Sequence, residues 1–202
     1  MHKKLIIFAT YQEAQASIEK FKATKDKVLN NKYVSSKFDI IISGIGILNA
    51  LFETMTHGKK YSMIINIGFS GIINNKLSIG AFYEIKTISK LNFTKILIKK
   101  DLKSLFLLRK AFPKIQLPNN SSISIASSDI PIRNSTVCSL CHNIDLVDME
   151  AYGIAFSSKK LNIPCRIFKM ATDFPSLKGR RYLEKNFQKF SKKISNFILE
   201  II

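Results

Sequence analysis

The sequence contains no apolar run of the roughly 18 residues that a membrane-spanning helix needs. Its longest apolar stretches, residues 40–52 and 62–73, are shorter and are broken by Gly, Asn and Ser. Three cysteines are too few for a disulfide framework, and an odd number leaves one unpaired. Acidic residues are scarce: 14 Asp and Glu stand against 32 Lys and Arg, a formal net charge of +18. Such an excess attracts nucleic acid, acidic membrane surfaces and anionic substrates. No basic run exceeds two residues, however, and Lys, Ile and Asn are abundant together, as in proteins encoded by A+T-rich DNA. Neither a nucleic-acid nor a membrane partner is therefore expected. Repeats and low-complexity linkers are also missing. A chain of 202 residues, 46% of them hydrophobic, is enough for one well-buried core, so residues 1–202 are expected to form a single domain.

Two local patterns invite a stronger reading and do not sustain it. The start, Met1-His2-Lys3-Lys4 followed by Leu5-Ile6-Ile7-Phe8-Ala9, is basic and then apolar, but the apolar part is too short for a signal-peptide core. It reads as a first strand, and the protein as cytoplasmic. Cys138-Ser139-Leu140-Cys141-His142 has the spacing of a haem-attachment site or of half a zinc site. Haem attachment requires export, and zinc requires a second ligand pair, which Cys165 with His57 or His2 does not offer at regular spacing. No metal and no cofactor is expected.

The chain alternates between apolar runs of strand length and helical stretches. Residues 4–9, 38–43, 63–67, 80–88, 123–126, 146–148 and 166–171 read as strands. Residues 12–22, 47–56, 101–112, 151–161 and 181–201 read as helices, the last with Leu183, Phe187, Phe190, Ile194, Phe197, Ile198 and Ile201 in one apolar stripe. Continuous apolar strands alternating with helices argue for an α/β fold: a single three-layer domain with a central mixed, mostly parallel sheet flanked by helices. Ligands of such folds bind at the carboxyl ends of the strands. Those ends hold the unusual residues: Glu13, Ser43-Gly44-Ile45-Gly46, Gly68-Phe69-Ser70-Gly71, Asp148-Met149-Glu150 and Thr172-Asp173.

In this order the segments resemble the nucleoside phosphorylase and nucleosidase superfamily. The similarity is nearest to the 5'-methylthioadenosine/S-adenosylhomocysteine nucleosidases and the futalosine hydrolases, the latter tied to menaquinone biosynthesis. Its most specific part is Val147-Asp148-Met149-Glu150-Ala151-Tyr152-Gly153-Ile154-Ala155, followed by Asn162-Ile163-Pro164 and Lys169-Met170-Ala171-Thr172-Asp173. The resemblance implies a nucleoside phosphorylase-like fold and a small-molecule nucleoside as substrate. It gives Glu13 the activation of the attacking water. It gives Met149 and Glu150 the ribose, and Asp173 the protonation of the leaving purine. Phe69, Ile132 and Lys169 are implied as further substrate-binding positions, and a homodimer as the assembly. The chemistry is consistent. Breaking an N-ribosyl bond builds positive charge on the sugar and negative charge on the base, so an acid beside the base and carboxylates near the sugar favour the transition state.

Taken singly, each acid has an ordinary reading: Glu13 and Glu150 as acids in the first turn of a helix, Asp173 as an N-cap before Pro175. A phosphorylase needs arginines around its phosphate. The first strand end carries none, and the position before the later Gly-rich segment is Asn66. Water is therefore the expected nucleophile. Phe69 replaces a small hydroxyl residue, Pro131 replaces an aromatic, and Lys169 replaces a common Arg. The stretch 86–122 is shorter than in most members. These departures leave the 5' group open between the methylthioadenosine, S-adenosylhomocysteine and futalosine types. They also leave two other activities standing: a nucleoside-binding member without turnover, and a phosphorylase.

Overall fold

Apolar segments with both faces buried, most of them isoleucine-rich, make the central strands of this protein. In the computed structural model, which describes residues 3–91, 112–132 and 143–202, these are β1 (Lys4–Phe8), β4 (Phe38–Ile42), β5 (Met63–Ile72) and β11 (Cys165–Asp173). Their β-branched side chains pack well on a pleated surface covered from both sides. Shorter strands complete the sheet: β2 (Thr24–Lys25), β3 (Lys32–Val34), β6 (Phe82–Glu84), β7 (Thr87–Lys90), β8 (Ile115–Gln116), β9 (Ser124–Ser127) and β10 (Leu146–Asp148). Their order is β2-β3-β4-β1-β5-β10-β9-β7-β8, with β11 on the other edge of β5 and β6 beyond it. The pairs β1–β4, β1–β5, β5–β11, β9–β10 and β7–β9 are parallel. The pair β5–β10 and the peripheral pairs β2–β3, β3–β4, β6–β11 and β7–β8 are antiparallel. The expected α/β architecture with a mixed sheet is the one observed.

Helices α1 (Tyr11–Lys20) and α4 (Leu177–Ile201) cover one face, burying Ala14, Ile18, Phe190, Ile194 and Ile198 against Ile6, Phe8, Ile65 and Ile67. Helices α2 (Ile47–His57) and α3 (Ala151–Leu161) cover the other, with Ile47, Ala50, Ala151 and Ile154 against Leu5, Ile7, Ile41 and Ile64. The crossing of α2 and α3 rests on a missing side chain. A Cβ on Gly153 would lie 2.3 Å from the Ile47 carbonyl oxygen, so only glycine lets the two backbones meet.

Three differences from the sequence reading have physical causes. The Gly68–Gly71 segment is strand rather than turn, because β5 keeps pairing with β11 as far as Gly71. Residues 80–88 divide into β6 and β7, which pair with different strands, β11 and β9. The last helix begins at Leu177, four residues early, because Ser176 caps it: the Gly179 N–H donates to Ser176 Oγ at 2.9 Å. Residues 101–111 of the expected helix 101–112 and the Cys138, Cys141, His142 cluster lie outside the described residues.

The decisive feature of the sheet is a parting beside β5. On one edge, β1 pairs with β5 only as far as Asn66, and β10 joins only at Gly71 and Ile72. Between them, β5 runs from Ile67 to Ser70 with no strand of the described residues on that edge. An open cavity of about 400 Å³ lies there.

Candidate active site

The carboxyl-terminal end of β1 enters the cavity first. Thr10 caps α1, and Glu13 three residues later completes a capping box. The geometry does more than cap the helix. Glu13 Oε2 accepts from the N–H groups of Ala9 at 3.0 Å and Thr10 at 3.1 Å, while Oε1 accepts from the Phe69 N–H at 2.8 Å. The Phe69 N–H lies in the part of β5 that has lost its neighbour, so Glu13 bridges the two parting strands. Three of about four acceptor sites on the carboxylate are thereby filled, leaving about one for a water proton. Glu13 is 5% exposed, and burial pushes its pKa above the usual carboxylate range against the opposing pull of Lys169 and the backbone donors.

A second carboxylate, Glu150, stands at the start of α3. Its Oε1 accepts from the Gly46 N–H at 2.9 Å, so the Gly-rich turn before α2 serves as its support. Gly46 has φ +108, a conformation that favours glycine. Burial, followed by the neighbouring charge of Asp148, raises Glu150 to about 7, although Lys169 and the Gly46 N–H act in the opposite direction. A third acid, Asp173, ends β11. Thr172 Oγ1 stands 2.7 Å from Asp173 Oδ1, and among the described residues nothing donates to Oδ2. Burial raises this acid too, more than the Thr172 contact lowers it.

Glu13, Phe69, Ile132, Met149, Glu150 and Asp173 all line the one cavity, brought together from five separate segments. The remaining wall is mostly apolar, with Pro131, Val147, Pro175, Leu183 and Phe187. Phe69 stacks on Phe187 with centroids 5.8 Å apart and meets Phe190 edge-on at 6.0 Å. The aromatic at position 69 is thus held by α4. No Arg or Lys is among the described lining residues. Asn66 is buried and turned away, its Nδ2 donating to the Ile7 carbonyl at 3.0 Å. Among the described residues, no cluster of His, Cys, Asp and Glu has the makings of a metal site.

Lys169 departs from the sequence reading. It does not line the cavity but lies beneath it, 1% exposed, its Nζ 2.8 Å from Asp148 Oδ2. An ammonium buried this deeply requires a counter-charge, and Asp148 is nearest. Asp148 itself was missed by sequence reasoning, although it lies within the most specific motif. Its other contacts are Ser127 Oγ at 2.5 Å and the Ala151 N–H at 2.8 Å. The overlooked signal was an acid at the end of a buried strand, facing a lysine inside the apolar run of β11.

No protein-family model and no curated protein matches the chain. Solved structures do. A Chlamydia trachomatis MTAN bound to MTA aligns over 100% of this chain and 97% of its own at 22% identity, with a TM-score of 0.78. The Campylobacter jejuni 5'-methylthioadenosine/S-adenosylhomocysteine nucleosidase aligns over 99% and 98% at 19% identity, TM-score 0.79. The Helicobacter pylori nucleosidase with butyl-thio-DADMe-Immucillin-A aligns over 99% and 97% at 16% identity, TM-score 0.81. The chain has the fold of the MTA/SAH nucleosidases. Each alignment spans nearly the whole of this chain and of the matched chain. Among the described residues, no helix is long and apolar enough to cross a membrane.

Proposed function

We propose that this chain hydrolyses the N-glycosidic bond of a purine-type nucleoside carrying a 5' substituent, of the methylthioadenosine/S-adenosylhomocysteine or futalosine type. The observation that carries the reading is one cavity holding two acids whose burial suits opposite tasks. Glu13, ionised and with an acceptor site to spare, takes a proton from water as the water oxygen attacks C1' of the ribose. Asp173, protonated, gives its proton to the five-membered ring of the purine as the bond between C1' and the base breaks. Glu150 accepts hydrogen bonds from the two ribose hydroxyls, and Met149 packs on the sugar. Both carboxylates oppose the positive charge that grows on the ribose. The nucleosidases of like fold, solved with MTA and with adenine bound, support the substrate class.

Water rather than phosphate is the nucleophile in this reading. A bidentate arginine clamp is the usual means of holding phosphate, and the cavity wall offers no cation among the described residues. A panel of 5'-substituted purine nucleosides, assayed with and without phosphate, is expected to release free base and the 5-substituted ribose at the same rate in both. A 5-substituted ribose 1-phosphate as the main product would falsify the assignment of water.

We also infer a cytoplasmic homodimer. Helix α2 buries Ile47, Ala50 and Thr54 against the body of the protein and leaves Leu48, Phe52 and Met55 exposed at 76%, 63% and 42%. Together with Ile45, which is 57% exposed and lines the cavity, they form an apolar stripe running from the site outward. A second copy seated on this stripe would close the cavity at its open side. Light scattering at micromolar concentration is expected to give twice the mass of one 22.9 kDa chain. A single-chain mass would mean that one subunit builds the whole pocket.

A further inference from the structure

Among the described residues, Lys169 is the one buried ammonium, and it lies beneath a cavity that holds Glu13 and Glu150. On β11 it is paired opposite Gly68 of β5, and its side chain passes over that glycine. A Cβ on Gly68 would lie 2.9 Å from Glu13 Oε1 and 3.5 Å from Lys169 Nζ, so the carboxylate and the ammonium share the space left by the missing side chain. Even so, Lys169 makes its ion pair with Asp148 and not with Glu13. Asp148 is rigidly held: Ser127 Oγ and the Ala151 N–H fix its two oxygens, and Ser127 Oγ in turn accepts from the Tyr152 N–H at 2.8 Å. Both members of the pair have side chains only 1% exposed.

We propose that Asp148 is a positioning residue for this reaction, acting through Lys169: it anchors the ammonium away from Glu13, so that the base keeps a positive neighbour without being bridged by it. The inference rests on the hydrolytic reading of the site. Two consequences follow from the charge count. With Asp148 ionised, the pair is neutral and adds little repulsion to the positive charge that grows on the ribose. With Asp148 neutralised, the ammonium is left with two acids facing it, Glu13 from α1 and Glu150 from α3, and it turns to them. A bridged Glu13 holds its ionised form too firmly to take a proton from water.

The test compares D148N, D148E, K169M and D148N/K169M, all in the full chain. Two readouts are used: the pH profile of kcat, and a ¹³C NMR titration of the glutamate carboxyls in which E13Q assigns the Glu13 signal. In D148N, the Glu13 titration and the rising limb of kcat are expected to move down by about one pH unit or more, with a lower plateau. In K169M they are expected to move up, because the nearby positive charge is gone. D148E, which keeps the charge, is expected to titrate as the unaltered protein does. The Glu13 signal of D148N/K169M is expected to titrate as in K169M, since Asp148 acts on Glu13 only through the lysine; this comparison holds even if D148N alone fails to fold. A D148N protein that loses rate with its Glu13 titration unmoved would show a purely structural role and overturn the proposal. So would a double variant that titrates apart from K169M. If the unaltered protein releases no base from any nucleoside, the hydrolytic reading fails, while the NMR titration still decides whether Asp148 and Lys169 govern Glu13.

Discussion

Replacing Glu13 with Gln is expected to lower kcat by about 10²–10⁴-fold while the domain still folds. The amide has no anionic oxygen to take a proton from water, so the loss should fall on kcat. The variant also reports on structure. Glutamine is accepted at this place in a capping box, so its oxygen can serve the Ala9 and Thr10 N–H groups. Its NH₂ group then faces the Phe69 N–H, donor against donor, where the carboxylate oxygen accepted at 2.8 Å. One unsatisfied buried donor costs about 1–3 kcal/mol. A lowered melting temperature with intact circular dichroism is therefore expected alongside the lost rate. Near-normal turnover in E13Q would show that another group activates the water. The pH profile carries the same information with a definite sign. Glu13 works ionised, and its pKa lies above the ordinary carboxylate range, so activity should fall on acidification before a surface glutamate would protonate.

Asp173→Asn is expected to remove about 10²–10⁴-fold of kcat as well, by a different route and with a different signature. The substitution is isosteric. Thr172 Oγ1 can still donate to the amide oxygen that replaces Oδ1, and the end of β11 keeps its pairing, so stability should change little. The amide cannot supply a proton to the leaving base, so a bound nucleoside should persist uncleaved. Calorimetric titration is expected to show nucleoside binding near the original affinity, with almost no base released over the same period. Loss of binding in step with loss of rate would instead make Asp173 a recognition residue. Because the acid works protonated, activity should also decline as pH rises through its pKa. That falling limb should be missing from the residual activity of D173N.

Much of this molecule was legible in its sequence, and the reasons are local. Residues 4–8, 38–42 and 63–67 contain continuous apolar, isoleucine-rich stretches that suit strands buried on both faces. Helix α3 was legible because its apolar residues are followed by Asn162, which takes the left-handed conformation at φ 55 and stops the helix. Glu13, Glu150 and Asp173 stood out because together they follow strand ends in the order of a known family, although each taken singly has an ordinary reading. Short strands were not legible in this way. β2, β3 and β8 have two or three residues each, too few for a periodic signal, and their pairing depends on strands distant in the chain.

The sequence by itself determined the alternation of strands and helices, the faces that would be buried and the acids from which a site would be made, because periodicity and residue type carry that information along the chain. Tertiary structure alone decided how those acids behave. Only the parting of β1 and β10 along β5 frees the Phe69 N–H for Glu13 and opens the cavity between them. Only the register of β11 on β5 sets Lys169 opposite Gly68, from where it reaches Asp148 rather than the cavity. Charge, burial and hydrogen bonding act through space, and residues 13, 68, 148 and 169 become neighbours only when the sheet forms.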